Sequence, residues 1–152
     1  MFKKLILMST LLVVTSLFIA CSDKENNADK TTAKKVEGRW YTSAQSIRGK
    51  KVFKANCALC HGDNGQGLVS DWKKAQSDGK FPAPPLNGSA HTWHHSKELL
   101  LRTVNNGGIP LGGTMPAFKD MLNNMEKEAV LAHIMSLWSN EVYNAWIKRN
   151  PR

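Results

Sequence analysis

The densest concentration of reactive side chains in this 152-residue chain is Cys57-Ala58-Leu59-Cys60-His61. Two thiols at this spacing on the first turn of a helix can reach the two vinyl groups of one porphyrin, while the adjacent imidazole binds its iron. Three bonds would then fix one haem c. Two other chemistries use a Cys-x-x-Cys pair: half of a zinc site and a thiol–disulfide couple. A zinc site wants a second pair, and the one remaining thiol, Cys21, lies at the end of an apolar run. A thiol–disulfide couple expects a strand followed by a helix, yet no alternating β-branched run precedes Cys57. A structural disulfide across two residues would be strained. Haem attachment is the reading these residues favour.

Two further groups carry ligand chemistry. Gly112-Gly113-Thr114-Met115-Pro116 puts a thioether on a loop that glycine lets curl and that Pro116 stiffens by restricting the residue before it. Of the other methionines, Met121, Met125 and Met135 sit at or near helical stretches and read as gap-filling core. His91-Thr92-Trp93-His94-His95 gathers three imidazoles in five residues, a combination that suits copper or zinc if the rings converge.

These groups have to be positioned by helices. Val130, Leu131, Ile134, Leu137 and Trp138 recur at helical spacing within Lys127 to Leu137 and predict one apolar stripe. Ser96 is placed to cap a helix running through Leu99, Leu100, Leu101 and Val104. Glu141 to Trp146 continues the helical pattern, with Tyr143 and Trp146 spaced to pack together. The expectation is an all-α domain of four to five helices with trivial strand content and long irregular loops.

With these residues in view, the chain resembles the class I cytochrome c family from about Ser46 to Trp138. Gly49-Lys50-Lys51-Val52-Phe53 stands before Cys57 with the family's glycine and aromatic spacing. The resemblance implies that Gly49 allows an N-terminal helix to cross a C-terminal one, with Phe53 packed at the crossing. His133 lies where the family usually carries an aromatic and reads as a packed residue. Ala83-Pro84-Pro85-Leu86 resembles the family's proline loop, which implies that the Pro84 carbonyl accepts the ring hydrogen bond of His61 and that Leu86 faces the porphyrin. Met115 matches the family's sixth iron ligand. A subgroup of exported monohaem cytochromes carries a His-x-Trp-His stretch, which implies that Trp93 packs against the haem or bonds a propionate. Displacement of Met115 by one of the clustered histidines is the alternative ligation.

The chain's two ends and its charge bound the rest. Lys3 and Lys4 precede an apolar run to Ala20, the pattern of an export signal, and Leu17-Phe18-Ile19-Ala20-Cys21 resembles a bacterial lipobox with Cys21 as the lipidated residue. Residues 1–20 are thus expected to be a signal peptide of lipoprotein type, 21–37 a polar flexible linker, and 38–152 the cytochrome c domain. The formal net charge of +9 is spread over lysine pairs without an arginine-rich tract, so nucleic acid is not the expected partner. The expected activity is electron transfer by one His/Met-ligated haem c, in the periplasm or at the outer face of the cytoplasmic membrane. Its expected partners are redox proteins, acidic ones suiting the basic face, with no small-molecule substrate and no catalytic residue. The alternatives are a peroxidase-like enzyme subunit, which needs an open iron position, and a copper-handling protein using His91, His94 and His95.

Overall fold

Thr42 begins the first helix by giving its side-chain oxygen to the Gln45 amide while Gln45 returns its own oxygen to the Thr42 amide, so two orphan donors are satisfied together. In the computed structural model, which describes residues 34–151, this helix (α1) runs Ser43–Asn56. A single turn, α2 (Ala58–His61), follows and is ended by Gly62 at φ +77°. A long irregular stretch containing a 3-10 turn at Thr92–His94 leads to α3 (Lys97–Asn106), whose N-cap is Ser96 accepting from the Leu99 amide. Helix α4 (Asn124–Ser136) opens with a reciprocal Asn123–Glu126 cap, and α5 (Asn140–Arg149) opens with Ser139. Among the described residues there are five helices and no strand beyond two isolated bridges. The expected signal peptide, Cys21 and the linker as far as residue 33 lie outside the described residues.

The principal helix contact is α1 on α4. Gly49 lies so close to α4 that a Cβ built on it would fall on the Ala129 carbonyl oxygen and come within 2.9 Å of His133 Cβ. Phe53 meets the His133 ring edge-on one turn further along, with ring centroids 5.2 Å apart. His133 is therefore a packing group at the crossing, only 6% exposed.

Helix α4 differs from the one-sided stripe that its spacing suggests. Ala129 through Met135 are all buried, because the helix has neighbours on several sides. Ala129 and His133 meet α1, Val130, Leu131 and Ile134 line a cavity, and Met135 receives the Trp40 indole N–H at 2.9 Å. The helix also begins three residues before Lys127, since Asn123 caps it where apolar periodicity gives no signal. Met135 fills core as expected, whereas Met121 and Met125 are 60% and 67% exposed.

The segment before α1 locks the C-terminal end. Arg39 donates to the carbonyls of Met135 and Trp138 and to Asn140 Oδ1, and its guanidinium lies 4.0 Å over the Tyr143 ring. It thereby serves carbonyls that the end of α4 leaves without helical partners. Tyr143 adds a second tie between the same segments: its hydroxyl oxygen accepts the Trp40 amide N–H at 2.9 Å. Val36 packs against the same core and its amide bonds to the Tyr41 carbonyl. Ordered packing thus starts a few residues before the expected boundary at 38, because Val36 is an apolar residue in an otherwise polar stretch.

Two consequences can be measured. Gly49→Ala should lower unfolding stability by about 3 kcal/mol, as overpacking against an immovable backbone does, with the denaturation midpoint as readout. His133 is held below the ordinary histidine value of 6.5 by burial and, less, by the nearby Lys50 charge. The unfolded chain therefore binds a proton that the fold resists, so this contribution is intact above about pH 6.5 and is lost as pH falls through that value toward the depressed one. Stability of wild type relative to His133→Phe should fall on acidification across that window; parallel curves would show that His133 does not titrate on unfolding.

Candidate functional site

His61 ends α2 with its ring 7% exposed and Nδ1 2.8 Å from the Pro84 carbonyl oxygen. A carbonyl can only accept, so Nδ1 carries the proton and donates it, leaving Nε2 with its lone pair. Burial, partly opposed by the Pro84 bond, keeps the imidazole below its ordinary pKa. The ring is thus neutral at pH 7, in the tautomer that a metal requires of a histidine ligand.

Pro84 is held in place by its own surroundings. The Leu86 and Asn87 amides both donate to the Gly65 carbonyl, at 2.6 and 3.1 Å, and the Leu86 carbonyl accepts the Trp138 indole N–H at 2.8 Å. Thr92 Oγ1 donates to the Pro85 carbonyl at 3.2 Å. The Gly67 amide bonds to the His61 carbonyl at 2.7 Å, closing the turn after the helix.

His61 opens onto a cavity of about 580 Å³ that Cys57, Cys60, Pro84, Leu86 and Met115 also line. Much of the remaining wall is apolar and comes from α3, from Phe118 and Leu122, and from the inner side of α4. The volume falls within the usual range for cofactor sites, about 300–1,000 Å³. No carboxylate side chain lines it.

Met115 reaches the cavity on a loop pinned at several points. Its carbonyl accepts the Gly108 amide at 2.9 Å, and the Phe118 and Lys119 amides bond to Val104 and Asn105 at the end of α3. The Phe81 amide bonds to the Gly112 carbonyl at 3.0 Å, tying this loop to the proline segment. At Gly107, φ is +77°, and an added Cβ would lie 2.6 Å from the Met115 carbonyl oxygen and 2.7 Å from Pro116 C. Only glycine fits that position.

Cys57 and Cys60 form no disulfide with each other; Cys57 is half-buried and Cys60 exposed. Burial, reinforced by the charge of Cys60, pushes the Cys57 thiol up to about 11. A thiol so firmly protonated at pH 7 is unlike the acidic nucleophile of a disulfide exchanger. The fit to a porphyrin is better: an apolar slot, two thiols and a neutral imidazole on one wall, and a thioether on a separate loop.

The histidine-rich stretch departs from expectation in one respect. Trp93 does not line the cavity; it packs partly on the core with its ring 4.1 Å from His94 and 5.3 Å from the Arg149 guanidinium. The 3-10 turn at Thr92–His94 turns Thr92 inward in its place, so that Trp93 faces α5 and His94 is exposed. The aromatic on the cavity wall is Trp72, stacked on His91 with centroids 4.9 Å apart. Trp72 lies in a stretch without periodicity, where nothing in the sequence marks one residue as inward. Because His94 is exposed while His91 and His95 line the cavity, the three imidazoles form no shared ligand group among the described residues.

A helical fold closed by a Gly49 crossing around a slot bearing Cys-x-x-Cys-His defines a c-type cytochrome domain. The chain belongs to the family described as cytochrome c oxidase, cbb3-type, subunit III, which matches residues 44–134. It carries covalently bound haem c. It is 31% identical over 102 residues to the Cbb3-type cytochrome c oxidase subunit CcoP of Azospirillum sp. (strain B510), covering 67% of this chain and 32% of that protein. The chain thus spans about a third of the length of that relative. It is also 34% identical over 93 residues to cytochrome c6 of Nostoc sp. (strain PCC 7120), covering 61% of this chain and 71% of that one. Cytochrome c6 of Leptolyngbya boryana is 32% identical over 92 residues, with 92% of its length covered. No solved structure matches the chain.

Gly107→Ala should displace the Met115 loop while leaving the helix crossing intact. Hydrogen exchange should quicken at the Gly108 and Gly113 amides, which bond to the Met115 and Gly108 carbonyls, and stay unchanged in α1 and α4.

Proposed function

We propose that this protein is a one-haem electron carrier in which Cys57 and Cys60 form the thioether links, His61 and Met115 are the axial iron ligands, and the redox partners are acidic proteins. The observation that carries this reading is the Nδ1–H bond from His61 to the Pro84 carbonyl, 2.8 Å long, which commits Nε2 to a ligand on the cavity side. Haem bound there supplies one-electron exchange at iron, and a thioether opposite an imidazole favours the ferrous state.

Each residue of the chain then has a separate task. Cys57 and Cys60 prevent the cofactor from leaving, His61 fixes one axis, and the glycine-pinned loop presents Met115 to the other. Leu86 and the apolar side chains of α4 keep water from the ring. With His61 and Met115 both given to the iron, no ligand place would remain there for oxygen or peroxide. The positive net charge would steer encounter with an acidic partner.

The sequence before residue 34 supports a tethered carrier. Cys21 would hold a lipid anchor, placing the domain in the periplasm or at the outer face of the cytoplasmic membrane, and the polar segment after it would give reach. Among the described residues no helix is long and apolar enough to cross a membrane.

Spectra of the matured protein test the ligands. The oxidised wild type should show the near-infrared sulfur-to-iron charge-transfer band, Met115→Leu should lose it, and only the variant should bind carbon monoxide quickly when reduced. Rapid carbon monoxide or cyanide binding by the wild type at neutral pH would sink the carrier reading in favour of an enzyme. Pigment that dissolves into acidified organic solvent would remove the thioethers.

A further inference from the structure

Lys127 stands apart from the other cations of the domain. It is only 7% exposed, although it lies in the first turn of α4 just after residues 123–125, all of which are exposed. A long side chain so close to the surface would ordinarily carry its charge out to water. Its own helix gives it no reason to stay, since the positive end of the helix dipole disfavours a cation there. It makes no ion pair among the described residues, where the one salt bridge is Lys97 with Glu128. A lysine withdrawn from water in this way is costly unless its N–H groups find acceptors.

The acceptors lie on other elements. Lys127 Nζ donates to Asn105 Oδ1 at 2.8 Å and to the Lys119 carbonyl at 3.4 Å. Asn105 is oriented to receive it, because its Nδ2 donates to Asn106 Oδ1 at 3.1 Å and leaves Oδ1 to Lys127. Asn105 stands in the last turn of α3, where unpaired carbonyls favour a cation and where α3 has no basic residue of its own. Lys119 belongs to the short stretch between Met115 and α4, and its amide N–H donates to the Asn105 carbonyl at 3.1 Å. Residue 119 is therefore held twice, its N–H by α3 and its carbonyl by α4. Phe118 and Leu122, on either side of it in sequence, are buried and line the cavity, whereas Lys127 does not.

Resting on the proposed function, we infer that Lys127 is a positioning residue for the axial thioether, a buried clasp between α3, α4 and the stretch after Met115 that keeps the sulfur from leaving the iron. The near side of the loop is already fixed at Gly107 and Gly108, so the stretch after Pro116 is the side on which Met115 can swing out. That stretch is tied to the end of α3 through the Phe118 and Lys119 amides, and Lys127 ties the same end of α3 to α4. Cutting the clasp leaves Asn105 Oδ1 and the Lys119 carbonyl without this donor. The stretch then loosens, while the Gly49 crossing on another side of α4 keeps its contacts.

The test uses matured, oxidised holoprotein in three forms. Beside wild type stand Lys127→Met, which keeps a long side chain and removes its donors, and Lys97→Met, the same change at the lysine that pairs with Glu128 over Trp40. Imidazole binding to the iron is followed by absorbance, and at saturating imidazole its rate is that of Met115 release. Loss of the Lys127 bonds should raise that rate about tenfold over Lys97→Met, and a rise under about threefold overturns the clasp. Hydrogen exchange at the Phe118 and Lys119 amides should quicken in Lys127→Met with α1 unchanged; equal quickening in α1 means general loosening and also overturns it. If Lys127→Met does not mature, Asn105→Ala cuts the shorter bond from its other end and is held to the same two criteria. A wild type that lacks the near-infrared sulfur band before imidazole is added overturns the ligand reading itself, a failure distinct from unchanged release of a bound Met115.

Discussion

The close approach of α1 to α4 at Gly49 is the constraint on which the site depends. With no Cβ between the helices, the α1 backbone reaches Ala129, and Phe53 fits beside His133 one turn on. That contact orients α4 so that its opposite side, Val130, Leu131 and Ile134, becomes the inner wall of the cavity. It also fixes where α1 ends and therefore where Cys57, Cys60 and His61 begin. A single missing methyl group thus sets the distance between the attachment turn and the wall that faces it.

The rest of the site is built from loops, and loops need anchors. The proline loop is held by Gly65 and Trp138, and the methionine loop by Gly107, Gly108 and the end of α3. These anchors are backbone groups or indoles, which leave the sulfur of Met115 and Nε2 of His61 free. Rigid placement of both suits a centre that exchanges an electron with little rearrangement. Fixed ligands lower the cost of moving between two charge states, which is a different demand from the open coordination that oxygen chemistry requires.

The sequence made some of this legible because certain chemistry tolerates few alternatives. The Cys57 to His61 motif, the Ser96 cap and the glycines around Met115 each encode a local geometry, and each is found where that geometry is needed. Three features were hidden for physical reasons. Periodicity reports one buried face, so it could not show that α4 is covered on several sides. A capping pair such as Asn123–Glu126 lies ahead of the apolar pattern and extends the helix beyond it. The irregular stretch between α2 and α3 has no period at all, so Trp72 on the cavity wall and Trp93 outside it could not be told apart before their neighbours were known.

The indoles of Trp138 and Trp146 reach back 52 and 51 residues to bond the Leu86 and His95 carbonyls. Both bonds span long loops whose closure is entropically costly, and neither can form until the chain's final third has been made and packed. Neither bond touches the two thiols of the attachment turn. Covalent capture at Cys57 and Cys60 can therefore precede closure of the far walls, so that the cofactor becomes a template on which the late-arriving tryptophans shut the domain.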